Sequence, residues 1–210
     1  MMTSDRNSSV WIQTAQRIQA IAQTGLTYAV SPYDVERYSD LSAIAVSMLA
    51  GPEAEKIDLA TLLFASERGY ATPNVDVRAA VFQKIACCWF ASGKTGAGPF
   101  PADGLRSDKA LWSLEREVRE ESGYIVKAVK LLACWDRNRH PHPSIPFHAY
   151  KLVFRCELLG GAPSASSETS EVGFFAEQEI PELSLIRTIP QQIQFVFECL
   201  RDHTAPTAFD

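Results

Sequence analysis

Arg116-Glu117-Val118-Arg119-Glu120-Glu121-Ser122-Gly123-Tyr124 is the stretch on which the fold turns. Wound as a helix at about 100° per residue, it brings Glu117, Glu120 and Glu121 within roughly a third of the circumference. Three carboxylates so close repel one another unless a positive charge sits between them. Hard oxygen donors in that arrangement suit Mg²⁺ or Mn²⁺, which keep open positions for phosphate oxygens. Leu111, Leu114 and Val118 cover the adjoining face, so the acidic strip borders a core. Gly123 supplies a left-handed C-terminal cap and turns the chain into the next segment. The competing reading is a solvated acidic face, with ion pairs to Arg116 and Arg119.

Working outward, the spacing predicts a helix over Lys109–Ser122. Strands are expected before it at Val75–Phe82 and Ile85–Phe90, and after it at Ile125–Asp136, Phe147–Leu159 and Glu171–Phe175. Gly93–Gly104 carries no pattern, and Gly160–Ser170 reads as a polar turn region. Ile189–Leu200 is a closing amphipathic helix, and the tail beyond Arg201 is expected to fray. Strands, a helix, more strands and a last helix argue α+β, a mixed sheet between helices, against alternating βαβ units. Nearer the N-terminus, Val10–Ala22 has helical spacing with Gly25 as its stop. Ser31-Pro32-Tyr33-Asp34 opens a second helix running to about Ala50, which Gly51-Pro52 ends. Asp58–Phe64 adds a short helical piece, and Ser66–Asn74 reads as a linker. We therefore expect a helical extension over residues 1–68 and a second domain over 69–210. So small a hairpin buries little by itself, and its apolar stripes predict a homodimer.

Composition narrows the function classes. The 210 residues are 46% apolar and 21% charged, the balance of a folded chain. A net charge of −5 argues against a nucleic-acid backbone as partner. No apolar run approaches the ~18 residues of a membrane span, and Met1–Val10 lacks a secretory pattern. The five cysteines, Cys87, Cys88, Cys134, Cys156 and Cys199, are odd in number and show no C-x-x-C spacing. That argues against a disulfide framework or zinc ribbon and for a reduced, cytoplasmic setting.

The order R-E-apolar-x-E-E-x-G-apolar over Arg116–Tyr124 resembles the C-terminal half of the Nudix box, G-x5-E-x7-R-E-U-x-E-E-x-G-U with U apolar; Tyr124 fills the last U loosely. Val10–Asn74 is similar to the N-terminal helical extension of one Nudix group, the hydrolases of nucleoside diphosphates linked to a moiety X. I-Q-A-I-A-Q-T-G-L-T-Y-A, Asp34–Arg37 and G-Y-A-T-P-x-V-D-V-R carry that resemblance, and Asp136–His140, Phe147–Phe154 and Glu168–Phe175 extend it over most of the chain. It implies a Nudix α/β/α sandwich and metal-assisted hydrolysis of a pyrophosphate bond in a substrate of the ADP-ribose or CDP-choline kind. It further implies that Glu117, Glu120 and Glu121 hold Mg²⁺ or Mn²⁺, and that Arg116 orients them through an ion pair, with Arg116 and Glu120 in the catalytic set. The metals would polarise phosphoryl oxygens and activate a water. Glu168 and Glu171 fall in the loop where related enzymes sometimes carry another carboxylate, or are turn acids at a strand end. His140, His142 and His148 are either substrate contacts or incidental loop residues.

The N-terminal half of the box departs from the pattern. Asp108 stands where the box has Glu, and Ala102 where it has Gly. The chain reads F-P-A-D-G-L at Phe100–Leu105 in place of L-P-G-G-W-A. It reads I-A-C-C-W-F-A-S at Ile85–Ser92 where the family has text like L-L-L-V-R-E. A frame shift accounts for both. With codons built from the third base of one residue and the first two of the next, Cys87/Cys88 and Cys88/Trp89 each force Leu, and Trp89/Phe90 forces Val. Lys94/Thr95 leaves only Asn or Asp, Phe100/Pro101 only Ser or Pro, and Asp103/Gly104 only Trp or Arg. The shifted frame can spell L-L-L-V-R-E-x-x-D-G-x-W-x-L-P-G-G-W-A. On this reading about Lys84–Ser113 is translated out of frame between two compensating indels; ordinary loop divergence is the competing account. The lost glycines would serve a tight turn at the metal, and Trp89 and Phe90 would overpack a central strand by ~1–3 kcal/mol. Two expectations follow: an active hydrolase, or the same fold with catalysis impaired and kept for binding or dimerisation.

Overall fold

The sheet is organised by two long strands, Tyr124–Asp136 (β3) and Ala149–Gly161 (β4), antiparallel to each other. The computed structural model describes the backbone of residues 3–50, 69–83, 86–92, 110–143, 145, 147–164, 169–181 and 183–210. The chain divides into two compact units: Met1–Pro73 with Ser144–His148, and Asn74–Pro143 with Ala149–Asp210.

In the second unit, Asn74–Gln83 (β1) runs parallel to β4 from Asn74↔Ala149 to Val81↔Cys156. Ala86–Ser92 (β2) is antiparallel to β1 at Phe82↔Cys87 and Gln83↔Ala86, and to Thr169–Phe175 (β5) from Cys87↔Phe175 to Ser92↔Thr169. Adding Ala208–Phe209 (β6), the order is β5-β2-β1-β4-β3-β6. Ala110–Ser122 forms a helix (α3) and Pro190–Arg201 another (α4). Neighbouring residues of β1 go to different cores, as strand alternation requires. Val81 packs with Leu114 and Val118 of α3, and with Tyr124, Val126 and Cys156. Ala80 packs with Val196, Phe197 and Cys199 of α4, and with Trp135 and Val153. A mixed sheet therefore lies between the two helices, the expected α/β/α layering.

In the first unit, Thr3–Tyr28 (α1) packs against Pro32–Ala50 (α2). Gly25 does not stop α1, contrary to expectation. It lies inside the helix, where a Cβ would come within 2.3 Å of the Tyr38 ring of α2, so its role is close approach. Beyond it Ala29 N donates to the Gly25 carbonyl at 2.8 Å. Gly69 and Tyr70 dock on the end of α1. Gly69 N donates to Thr27 Oγ1 at 2.9 Å, and the Tyr28 and Tyr70 rings meet at 5.4 Å. The short helix expected at Asp58–Phe64 and the patternless Gly93–Gly104 lie outside the described residues.

The tail is the other correction. It does not fray: Ala208 and Phe209 pair in parallel with Ala133 and Cys134 on the outer edge of β3. Lys130 Nζ donates to the carbonyls of His203 (3.1 Å) and Ala205 (2.6 Å), Thr207 Oγ1 donates to the Leu131 carbonyl (2.7 Å), and Asp210 accepts from Asp136 N (2.7 Å).

Candidate active site

Helix α3 is held by its apolar side and its C-terminus. Leu114 and Val118, four apart, are buried against the sheet. Glu115 turns to β3, accepting from Ala128 N at 2.9 Å. At the end, Gly123 has φ +77° and donates to the Arg119 carbonyl at 2.9 Å; a Cβ there would meet the Ala162 carbonyl at 2.4 Å. The buried Ser122 hydroxyl donates to the Val118 carbonyl and accepts from Tyr124 N at 3.2 Å. The cap expected from Gly123 is thus in place, and it fixes the pitch at which the carboxylates stand.

Glu117 and Glu121 are half-buried and Glu120 is exposed. Burial pushes the Glu117 carboxyl above its ordinary range, and the charges of Glu121 and Glu120 push the same way; Arg116 and Arg78 oppose them. A carboxylate crowded by burial and like charge is a site that a cation stabilises, and the all-oxygen donor set fits a hard divalent ion. Arg116 Nε stands 3.9 Å from Glu120 Oε1, one turn along. Among the described residues, no three His, Cys, Asp or Glu side chains are gathered tightly enough to enclose a metal.

The other candidates are scattered. Glu168 and the side chain of Glu171 lie outside the described residues; the Glu171 backbone pairs with Ala91. His140 stands beyond the far end of β3 from α3, with its ring 5.5 Å from that of Trp135 and Nε2 3.1 Å from Asp210. His142 Nδ1 is 2.8 Å from the Leu185 carbonyl, and burial pushes its pKa down to about 4, so it is neutral at pH 7. His148 falls in the first unit. Sequence reasoning missed a charged cluster on β1 and β4: Asp76, Arg78, Lys151 and, just past β3, Arg137. Lys151 is fully buried, with Nζ 2.6 Å from Asp76 Oδ2 and 2.6 Å from the Arg187 carbonyl. The signal was available, because V-D-V-R and Y-K-L-V put charges inside strand patterns otherwise apolar.

Residues 75–197 match the family model described as the NUDIX domain, and residues 9–64 match one described as a UDP-X-like, N-terminal oligomerisation domain. YjhB of Bacillus subtilis (strain 168), a provisionally assigned ADP-ribose pyrophosphatase, is 36% identical over 210 aligned positions, covering 95% of this chain and 97% of its own. The chain belongs to the Nudix family. A crystal structure of a UDP-X diphosphatase is similar to this Nudix chain over 97% of its length and 99% of the other's, at 29% identity and a TM-score of 0.54. An ADP-ribose pyrophosphatase from Streptococcus suis 89-1591 covers 66% of it with 100% of its own chain, at 28% identity and a TM-score of 0.55. By family this is a Nudix hydrolase, and Nudix hydrolases in general use divalent metal ions, in keeping with the crowded carboxylates of α3.

Proposed function

We propose that this Nudix hydrolase cleaves the pyrophosphate bond of a nucleoside diphosphate linked to a second moiety, of the ADP-ribose or CDP-choline kind. The observation that carries this is the capped α3 helix, with Glu117, Glu120 and Glu121 on one strip and Glu117 crowded by charge. These three residues would hold Mg²⁺ or Mn²⁺, which supplies phosphoryl polarisation and a more acidic bound water. Arg116 holds Glu120 by its ion pair, so that a carboxylate otherwise exposed keeps one side of the strip. Gly123 and Ser122 keep the last turn from unwinding beneath Glu120 and Glu121. We assign residues 1–68 as the helical extension and 69–210 as the hydrolase domain, with a homodimer formed through the extension. A cytoplasmic setting accords with Cys134, Cys156 and Cys199 as free thiols. The test is release of AMP from ADP-ribose, or CMP from CDP-choline, with Mn²⁺. Turnover above background that Glu120→Gln abolishes supports the reading, and equal negligible rates for both chains overturn it.

A second reading is favoured by one observation: Ala102 and Asp108 stand at the Gly and Glu of the box, beside the Cys87–Phe90 run. On it, the fold persists with catalysis impaired because about residues 84–113 are out of frame. The codons of the gene decide this, since they either spell the displaced family text or do not. A frame-restored chain would then turn over at least ~100-fold faster, the scale of losing one preorganised element of a site.

A further inference from the structure

Without the two residues of β6, β3 would form an edge of the sheet. An edge strand presents backbone N–H and C=O groups that another strand can take up, and native chains cover or blunt such edges. Much of β3 is blunted by its own irregularity. Its pairing with β4 shifts register at Ile125/Val126, Ala128/Lys130 and Leu131/Ala133, and each shift bends and twists the strand away from a straight template. The longest regular stretch is the last, where Ala133, Cys134, Trp135 and Asp136 face Val153, Leu152, Lys151 and Tyr150 one for one.

That stretch is the one the tail covers. Ala208 and Phe209 pair with Ala133 and Cys134. On one side of this pair the Thr207 hydroxyl donates to the Leu131 carbonyl at 2.7 Å; on the other the Asp210 carboxylate accepts from Asp136 N at 2.7 Å. Side chains therefore close both ends of a ladder too short to hold by itself. Two further anchors fix the strap in place. Lys130 Nζ donates to the carbonyls of His203 and Ala205, and His140 Nε2 stands 3.1 Å from Asp210 Oδ2. The strap does not hand the open edge on to a further strand. Pro206, two residues before β6, has no N–H to donate, and Asp210 sets a charge just after it. A proline and a charge flanking a very short strand are features that stop further pairing.

We propose that residues 203–210 guard the β3 edge against a second copy of this chain. With the strap docked, Ala133–Asp136 is closed; with it removed, the same stretch of two copies pairs edge to edge. A second copy fits because antiparallel pairing about a two-fold axis makes the stretch its own partner. Centred between Cys134 and Trp135, that pairing sets Asp136 of each copy opposite Ala133 of the other, so the like charges do not face each other. The contact is separate from the homodimer proposed through the helical extension, and it does not depend on the hydrolase reading.

The test compares the full chain with one lacking residues 203–210, by sedimentation and amide exchange over a wide range of concentration. The shortened chain is expected to form a species of twice the parent's mass at the same concentration. Its amides over Ala133–Asp136 should exchange at least about tenfold faster than the parent's when dilute, and regain protection when concentrated. Masses equal to the parent's at every concentration overturn the proposal. So does a heavier species without concentration-dependent protection at Ala133–Asp136, since association then uses another surface. Should the shortened chain fail to fold, the full chain carrying Thr207→Val and Asp210→Ala decides. It loses both side-chain closures and keeps the strand residues, and the same two readouts support or overturn the proposal in the same way.

Discussion

Lys151 is a charged side chain that is fully buried among the described residues. It is 1% exposed, and burial pushes its pKa down to about 8 against the pull of Asp76. Asp76→Asn would leave that ammonium buried with only the Arg187 carbonyl, and we expect a loss of about 3–5 kcal/mol at pH 7 in urea unfolding. The pH dependence follows from the lowered pKa of Asp76. Its contribution is complete above the ordinary value of 3.8 and vanishes as pH falls through the lower folded value. The gap between parent and variant should therefore close below about pH 4, and a gap constant down to pH 2 would disprove the pairing. None of this was readable from the residues singly. Asp and Lys 75 positions apart become partners only when β1 and β4 pair in parallel with Asp76 opposite Lys151.

At the scale of elements, α3 and the tail stand at opposite ends of legibility. Helix α3 was expected over Lys109–Ser122 and is found over Ala110–Ser122, because its signals are local: apolar residues at helical spacing and a glycine cap. The tail after Arg201 has no such signals. Ala-Pro-Thr-Ala-Phe-Asp is short and half of its residues are exposed, and what orders the tail is the open edge of β3 with Lys130 reaching out to the carbonyls of His203 and Ala205. Deleting residues 203–210 should cost about 1–3 kcal/mol, the net worth of several hydrogen bonds. Amide exchange at Asp136, whose N–H is held by Asp210, should accelerate as well. Unchanged exchange there would mean the strap is not formed in solution. Gly25 belongs to the same lesson: a glycine in a helical pattern reads as a stop, and only the Tyr38 ring on the facing helix makes it an interior contact.

At the scale of the molecule, α1 and α2 leave Ile21, Tyr28, Val30, Tyr33 and Ile44 exposed. Ile21, Tyr28 and Val30 line an open groove of about 850 Å³ with Arg17 and Asp34 at its sides. The homodimer proposed above is expected to use this groove, since the family model matched by residues 9–64 is described as an oligomerisation domain. The full chain should sediment as a dimer and Ile21→Glu with Val30→Glu as a monomer; an equal mass for both would move the contact elsewhere. The sequence by itself determined the family, the α+β class, the carboxylate strip and its cap, because these depend on periodicities and spacings within a dozen neighbouring residues. It also showed that the N-terminal half of the box departs from the pattern, with Ala102 and Asp108 where the box has Gly and Glu. The tertiary structure alone decided which charges meet. Arg78 and the buried Lys151 meet at Asp76, and the tail closes the edge of β3. Those contacts depend on strand register and sheet order, which bring together residues far apart in the chain and leave no mark on the spacing of either partner.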